Sequence, residues 1–256
     1  MKHSFIDEYS HLNSVIHRLD PRTKLIASLA FILAVMLTPT NNWLVFAFYF
    51  AIIAFMLAFS QLPPIYVLKR SLVILPFVLL IAIFIPFFRE GEVAGSYNVW
   101  LWQISITYNG LLVLTNVIVK SWLSILALIL LSSTTRLNDL LKALRQLGMP
   151  QVMILILSFM YRYIFVLVDE VMRLRQARDS RNFGGSWLHR LKTIGHMVGT
   201  LFIRSYERGE RIYAAMLARA FDGQVRTLYQ LSFKRADAFF GAAFSLVLVL
   251  PYIIRL

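Results

Sequence analysis

The stretch LLVLTNVIVKSWLSILALILL, residues 111–131, decides the fold class of this chain. As an α-helix it is long enough to cross a bilayer, which takes about 20 apolar residues, and its only charged residue is Lys120. Hydrophobic residues make up 59% of the whole chain, whereas apolar residues make up about 45–50% of soluble domains. The sequence therefore predicts an all-α polytopic membrane protein and excludes soluble fold classes.

Further apolar runs bring the predicted number of transmembrane helices to about five. They occupy residues 25–37, 43–59 and 72–88 ahead of the run at 111–131, and the C-terminal segment 236–256 after it. The first run opens with Asp20, which can cap free amides, and with Pro21, which suits the first position of a helix. The transmembrane region is predicted to cover residues 1–134, with 89–110 as a non-cytoplasmic loop.

Lys120 is a charge in the middle of a predicted span. Such residues line polar paths, or they snorkel to the interface or pack against buried helix carbonyls. With no acidic partner evident in another span, the second interpretation is favoured.

The formal net charge of +13 indicates which segments face the cytoplasm, because lysine and arginine concentrate in the cytoplasmic segments of membrane proteins. Residues 150–168 have the hydropathy of another span. A crossing there would place the basic segment 173–219 outside the cell and Arg162 in lipid. We therefore favour a long helix over 150–181 at or under the membrane, although a crossing stays open. The N-terminus is expected in the cytoplasm, and no nucleic-acid partner is expected.

Residues 135–235 are predicted to form a cytoplasmic module of one short and two long helices. A stripe of leucines at helical spacing marks the short helix over 137–147, which Gly148 and Pro150 end. The long helices are predicted over 150–181 and 187–219. Charged residues near 207–211 are expected to form local ion pairs, and Asp169 and Glu170 are expected to pair with Arg173.

The sequence contains no constellation that indicates catalysis. It has no cysteine, no glycine-rich phosphate loop and only scattered histidines. We expect no catalytic residue, no metal site and no cofactor on this chain. Any ATP with its magnesium ion would be bound by a partner subunit.

Two similar segments occur at the predicted ends of the long helices: Ser180-Arg181-Asn182 followed by Phe183, and Ala218-Arg219-Ala220 followed by Phe221. Arg178 lies one turn before the first segment. A guanidinium offers five donors in a rigid fork, which suits carboxylates and carbonyls in a partner's groove. An arginine at a helix C-terminus also caps free carbonyls. From the residues alone, docking and capping are equally favoured.

These segments resemble motifs of a known family, the transmembrane T components of energy-coupling factor (ECF) transporters. The likeness extends over essentially the whole chain and favours the cobalt branch, the CbiQ-like proteins. It is carried by HRLDPRTKL at 17–25, STTRLNDLLKALRQLGMP at 133–150, MYRY at 160–163 and LFIRSYERGERIYAAMLARAFDG at 201–223.

The resemblance implies a non-catalytic scaffold and coupling subunit of an importer in a bacterial or archaeal plasma membrane. In that family each X-Arg-X motif engages one of two cytoplasmic ATPase subunits, a role that carries over to Arg181 and Arg219. The third partner implied is a membrane-embedded, substrate-binding S component, CbiM-like for cobalt. The alternatives are a T component for nickel, biotin or shared vitamin S components, and, from a different class, a stand-alone channel or membrane enzyme.

Overall fold

The computed structural model of the chain describes residues 9, 10, 12, 14–40, 42–88, 93–99, 102–181, 186–223 and 233–253. Its helices are α1 (Pro21–Leu37), α2 (Trp43–Ser60), α3 (Pro64–Ala82), α4 (Ile85–Phe88), α5 (Tyr108–Thr134), α6 (Leu137–Gln146), α7 (Gln151–Asp179), α8 (Trp187–Ala218) and α9 (Arg235–Ile253). The predominance of helices confirms the predicted all-α class. The predicted loop over 89–110 contains an antiparallel hairpin of β1 (Val93–Val99) and β2 (Trp102–Thr107).

The third helix differs from its prediction over 72–88. It begins at Pro64, takes in Lys69 and Arg70, and ends at Ala82, before the chain turns and α4 begins. Pro86 has no N–H to donate to the carbonyl of Ala82, which favours a break at this point, although α3 accommodates Pro76 in its interior. The apolar run gave the wrong bounds for this helix. Apolar residues continue through the turn after Ala82, whereas the helical hydrogen bonds of α3 do not.

Four helices in the described part of the chain are long and apolar enough to cross a membrane: α2, α3, α5 and α7. This set includes α7, for which the charge pattern favoured a position along the membrane. Length and composition permit a crossing by α7 without establishing one. Its placement therefore stays a prediction.

Residues 2–143 and 231–256 form one compact unit. Its buried core includes Phe31 and Val35 from α1, Tyr49 and Ile53 from α2, and Leu123 from α5. The rings of Phe31 and Tyr49 meet edge to face with their centroids 5.6 Å apart, an arrangement that aromatic pairs prefer. Packing among these helices holds the unit together.

Two lysines join α1 and α5 reciprocally. Lys24 Nζ, in the first turn of α1, donates to the carbonyl of Thr134 at the end of α5 over 2.9 Å. Lys120 Nζ, on α5, donates to the carbonyls of Met36 and Thr38 at the end of α1 over 3.1 and 2.6 Å. Helix C-termini carry unpaired carbonyls and partial negative charge, so both lysines cap a neighbouring helix. The carbonyl interpretation of Lys120 is confirmed.

A buried polar junction surrounds Lys24. The Asp20 carboxylate accepts from the Arg22 N–H at 2.9 Å, which confirms the predicted cap of α1. The buried carboxylate of Asp237, in the first turn of α9, accepts from the backbone N–H groups of Asp20 at 2.8 Å and Lys234 at 2.9 Å. The junction thus fixes the starts of α1 and α9 and the end of α5.

His17 belongs to the segment that leads into this junction. Its Nε2 lies 3.1 Å from the carbonyl oxygen of Tyr9, which can only accept, so Nε2 carries the proton. Its Nδ1 then accepts from the Ser14 hydroxyl at 2.7 Å. Burial lowers the pKa of His17, and the positive charge of Lys24 adds to this, against the raising effect of the hydrogen bond to Tyr9.

Residues 144–230 form the second compact unit, which contains α7 and α8. Ile154 is the one buried residue of α7, and α8 has no buried residue among those described. Both helices therefore present most of their side chains at the protein surface.

Candidate functional site

The C-terminal end of α7 is held by local hydrogen bonds. Helical geometry continues through Ser180, whose N–H donates to the carbonyl of Gln176 at 2.9 Å and whose hydroxyl donates to that of Ala177 at 3.1 Å. The N–H of Arg181 donates to the carbonyl of Arg178 at 3.2 Å. The first predicted arginine thus stands at the C-terminal end of a long helix.

Asp179 engages the arginines that precede this tip. Its carboxylate lies 2.7 Å from Arg178 Nη2 and 3.8 Å from Arg175 Nε. Arg178, predicted as a supporting docking residue, is therefore paired within its own helix. Asn182 and Phe183, the other predicted members of this segment, lie outside the described residues.

The C-terminal end of α8 is a Schellman motif. The N–H of Phe221 donates to the carbonyl of Met216 at 3.1 Å, and that of Ala220 donates to the carbonyl of Leu217 at 3.0 Å. Ala220 adopts a left-handed conformation with φ of 54°. This position normally takes glycine, because a Cβ there is strained by about 1–2 kcal/mol.

The structure places Arg219 at the C-cap of this motif, directly before the strained residue. Ala218, Arg219 and Ala220 are exposed, whereas Phe221 is half-buried. The left-handed turn directs the chain away from the helix axis after Arg219. Sequence reasoning selected Ala220 for its small size and missed its backbone conformation, because alanine gives no signal for positive φ.

Arg181 and Arg219 share an environment. Both are exposed, and within the described ranges neither guanidinium has a hydrogen-bond or ion-pair partner. By contrast, Arg175 and Arg211 on the same helices pair with Asp179 and Glu207, each over 3.8 Å. The pair formed by Glu207 and Arg211 confirms the local pairing predicted for this segment. The two arginines singled out from the sequence are thus open to a partner.

α7 and α8 contact each other along a groove of about 300 Å³. It is lined by Phe159, Tyr163 and Leu167 from α7 and by Gly209, Ile212 and Met216 from α8, among others. Glu170 of α7 pairs with Arg204 of α8, which corrects the expectation that it pairs with Arg173. The expectation was wrong because Glu170 pairs with an arginine on another helix and not with the local arginine at i+3. Sequence spacing does not reveal contacts between helices.

Both arginines lie far along their helices from this ion pair. Arg181 follows Glu170 by about 16 Å of helix, and Arg219 follows Arg204 by about 22 Å, at 1.5 Å per residue. Stiff helices that contact each other and carry exposed cations at their ends can transmit rigid-body displacement.

Comparison with known proteins agrees with this architecture. Residues 12–229 match the model of the CbiQ family, described as "Cobalt transport protein". The chain belongs to the CbiQ family.

Relatives of this CbiQ-family chain include transporter subunits. The energy-coupling factor transporter transmembrane protein EcfT of Listeria innocua is 31% identical over 243 residues, 90% of each chain. That of Ruminiclostridium cellulolyticum is 30% identical over 246 residues, 91% of this chain and 90% of the relative. A putative fused cobalt transport protein, CbiMQ, of Methanocorpusculum labreanum is 31% identical over 139 residues, 54% of this chain and 22% of that protein. The CbiQ-family chain is therefore a multi-pass transmembrane T component of the ECF transporter type.

Proposed function

We propose that this chain is the non-catalytic scaffold and coupling subunit of an ECF-type ABC importer for cobalt ions. It joins a membrane-embedded S component, CbiM-like, to two cytoplasmic ATPase subunits, which bind the ATP and magnesium. The observation that carries the proposal is the pair of exposed arginines, Arg181 and Arg219, at the ends of two helices that contact each other.

The chemistry of the two helix ends supports docking over capping. A capping arginine would fold back onto its own helix carbonyls, whereas the described residues offer neither guanidinium a partner. Ser180, Ala218 and Ala220 are small and exposed, so a partner's backbone can approach each arginine closely. We assign one ATPase subunit to each tip, with the guanidinium donating to carboxylates or carbonyls of that subunit.

The double variant Arg181→Ala, Arg219→Ala tests this assignment. We expect the full-length variant to reach the membrane and to lose co-purification with both ATPase subunits. Removing one partner of a buried, hydrogen-bonded charge pair costs about 2–5 kcal/mol, or roughly 30-fold to 5,000-fold in affinity per site. Lysine at either position should restore binding only in part, because it lacks the planar fork.

Arg175→Ala with Arg211→Ala is the matched control. These arginines are also exposed and lie on the same two helices, but each already pairs with a local carboxylate. The control should retain both ATPase subunits. Undiminished co-purification of the Arg181, Arg219 double variant would contradict the proposal.

The assignment of cobalt rests on the family description and on the fused cobalt transport relative. The alternative is a T component for nickel, biotin or shared vitamin S components, and the names of the EcfT relatives specify no cargo. Uptake of cobalt and of nickel by the complete transporter, assembled with defined S components, separates these cargoes. Uptake of nickel without cobalt would overturn the cobalt assignment and leave the coupling role intact.

We also propose that the N-terminus and both arginine tips face the cytoplasm of a bacterial or archaeal cell. The natural chain has no cysteine, so cysteines placed singly near Ser180, Ser186 and Ala218 can be labelled from either side of the membrane. Labelling from the cytoplasmic side is expected for all three. Labelling from the outside would refute the orientation.

A further inference from the structure

The N-terminal half of α8 exposes a continuous apolar stripe. Trp187, Leu191, Ile194, Val198 and Phe202 follow one another at steps of three or four residues, which places them on one helix face. Trp187, Val198 and Phe202 are 72%, 60% and 69% exposed. Exposed apolar surface of this extent on a helix marks an interaction site.

The same stripe continues into the C-terminal half of α8, where it is covered. Gly209, Ile212 and Met216 extend the spacing and line the groove against α7. In the C-terminal half of α8 this face therefore packs against α7. In the N-terminal half the rest of the described chain does not cover it.

Basic charge accompanies the uncovered half of the stripe. Arg190 and Lys192 lie on its two flanks, and no acidic residue occurs from Trp187 to Tyr206. Neither cation has an ion-pair or hydrogen-bond partner in the portion of the chain that the structure describes. In the covered half, by contrast, Arg204 pairs with Glu170 and Arg211 with Glu207. Uncompensated positive charge and uncovered apolar surface thus coincide.

α8 differs from the candidate spans in composition. It contains 32 residues, which is long enough to cross a bilayer, but it is not among the helices that are apolar enough to do so. Thr193 and Thr200 lie opposite the stripe, and their hydroxyls donate to carbonyls of their own helix at 3.1 and 2.9 Å. A helix with one apolar face, basic flanks and a polar back is typical of a helix that lies in the membrane surface.

We propose that residues 187–203 of α8 lie in the surface of the bilayer and bind anionic phospholipids. The Trp187-to-Phe202 stripe inserts below the head groups, and Arg190 and Lys192 contact lipid phosphates. This membrane contact is separate from the ATPase docking proposed at Arg219, which lies at the opposite end of α8, and it begins six residues after the other proposed docking residue, Arg181.

The absence of native cysteine makes a site-specific test direct. Full-length chains carrying Ile194→Cys or Val198→Cys on the stripe, or Thr193→Cys or Thr200→Cys on the back, are labelled with a fluorophore. They are reconstituted in vesicles of phosphatidylcholine alone or mixed with phosphatidylglycerol. Spin-labelled lipid should quench the fluorescence of labels on the stripe, and aqueous iodide should quench that of labels on the back. Phosphatidylglycerol should increase this difference between the two faces.

The charge contribution is tested in the same vesicles with Arg190→Gln and Lys192→Gln. Each should weaken the phosphatidylglycerol-dependent contact about fivefold, as expected for a basic residue near an anionic surface. Arg211→Gln, in the covered half, is the control and should have little effect. Equal iodide quenching of both faces would overturn the proposal. Shielding of the stripe only after partner subunits are added would also overturn it, in favour of a protein contact.

Discussion

Replacing Lys24 by methionine should destabilise the fold strongly, although this residue lies next to a predicted span and is not among the proposed docking residues. Lys24 is 7% exposed. Its ammonium group donates to the carbonyl of Thr134 at 2.9 Å and to that of His17 at 3.3 Å. Methionine keeps much of the volume but removes both donors and the charge.

The magnitude follows from these contacts. A hydrogen bond from a charged donor contributes about 1.5–3 kcal/mol, so the loss of two costs roughly 3–6 kcal/mol. Burial disfavours the charged form of Lys24, but the charges of Asp139, Asp20 and Asp237 favour it, and methionine removes this attraction. Asp237 and Asp20 are themselves buried, which adds to the cost.

Unfolding in mixed micelles with increasing dodecyl sulfate, followed by tryptophan fluorescence, measures this loss. Lys142→Met is the matched control, since Lys142 pairs with Asp139 at 3.1 Å on a partly exposed surface and should cost less than about 1 kcal/mol. Lys24→Arg should lose less than Lys24→Met because the charge remains. If Lys24→Met unfolds like Lys142→Met, the capping role assigned to Lys24 is wrong.

The remaining predictions concern a helix end and a titrating group. Ala220→Gly should relieve the left-handed strain and slow amide hydrogen exchange in the last turn of α8 about twofold to fivefold, the equivalent of roughly 0.5–1 kcal/mol. Gly148 occupies the matching position after α6, with φ of 97°, so Gly148→Ala should speed amide exchange in the last turn of α6. Exchange rates that stay those of the unaltered chain in both variants would contradict the reasoning. The lowered pKa of His17 keeps the folded state neutral while the unfolded chain takes up a proton. Stability should therefore fall as pH drops below about 6.5. His17→Gln should flatten this decline in a pH series of unfolding midpoints, and an unchanged slope would exclude His17 as its source.

Much of the fold could be predicted from hydrophobicity and a few polar signals. Runs of bilayer length indicated α2 and α5, the Asp20-Pro21 pair indicated the start of α1, and Gly148 indicated the end of α6. These features are local, because each depends on the residue itself and on neighbours within one or two turns. The break between α3 and α4 was missed because apolar residues extend through it.

The two arginine motifs were also visible in the sequence, but their local environments were not. Whether an arginine caps its own helix, pairs with a neighbour or stays open depends on side chains brought near it by folding. The structure pairs Arg178 with Asp179 and, among the residues that it describes, offers the Arg181 guanidinium no partner. It also places Ala220 in a conformation that its residue type does not signal.

The sequence by itself determined that this chain is a helical membrane protein with basic helix ends, since chain composition and short-range spacing are sufficient for those conclusions. Tertiary structure alone decided that Lys24 and Lys120 cap each other's helices, that Asp237 joins α9 to the start of α1, and that Glu170 pairs with Arg204. Those partners lie from 34 to 217 residues apart in the chain. Contacts at such separations depend on how helices pack, and no local pattern encodes them.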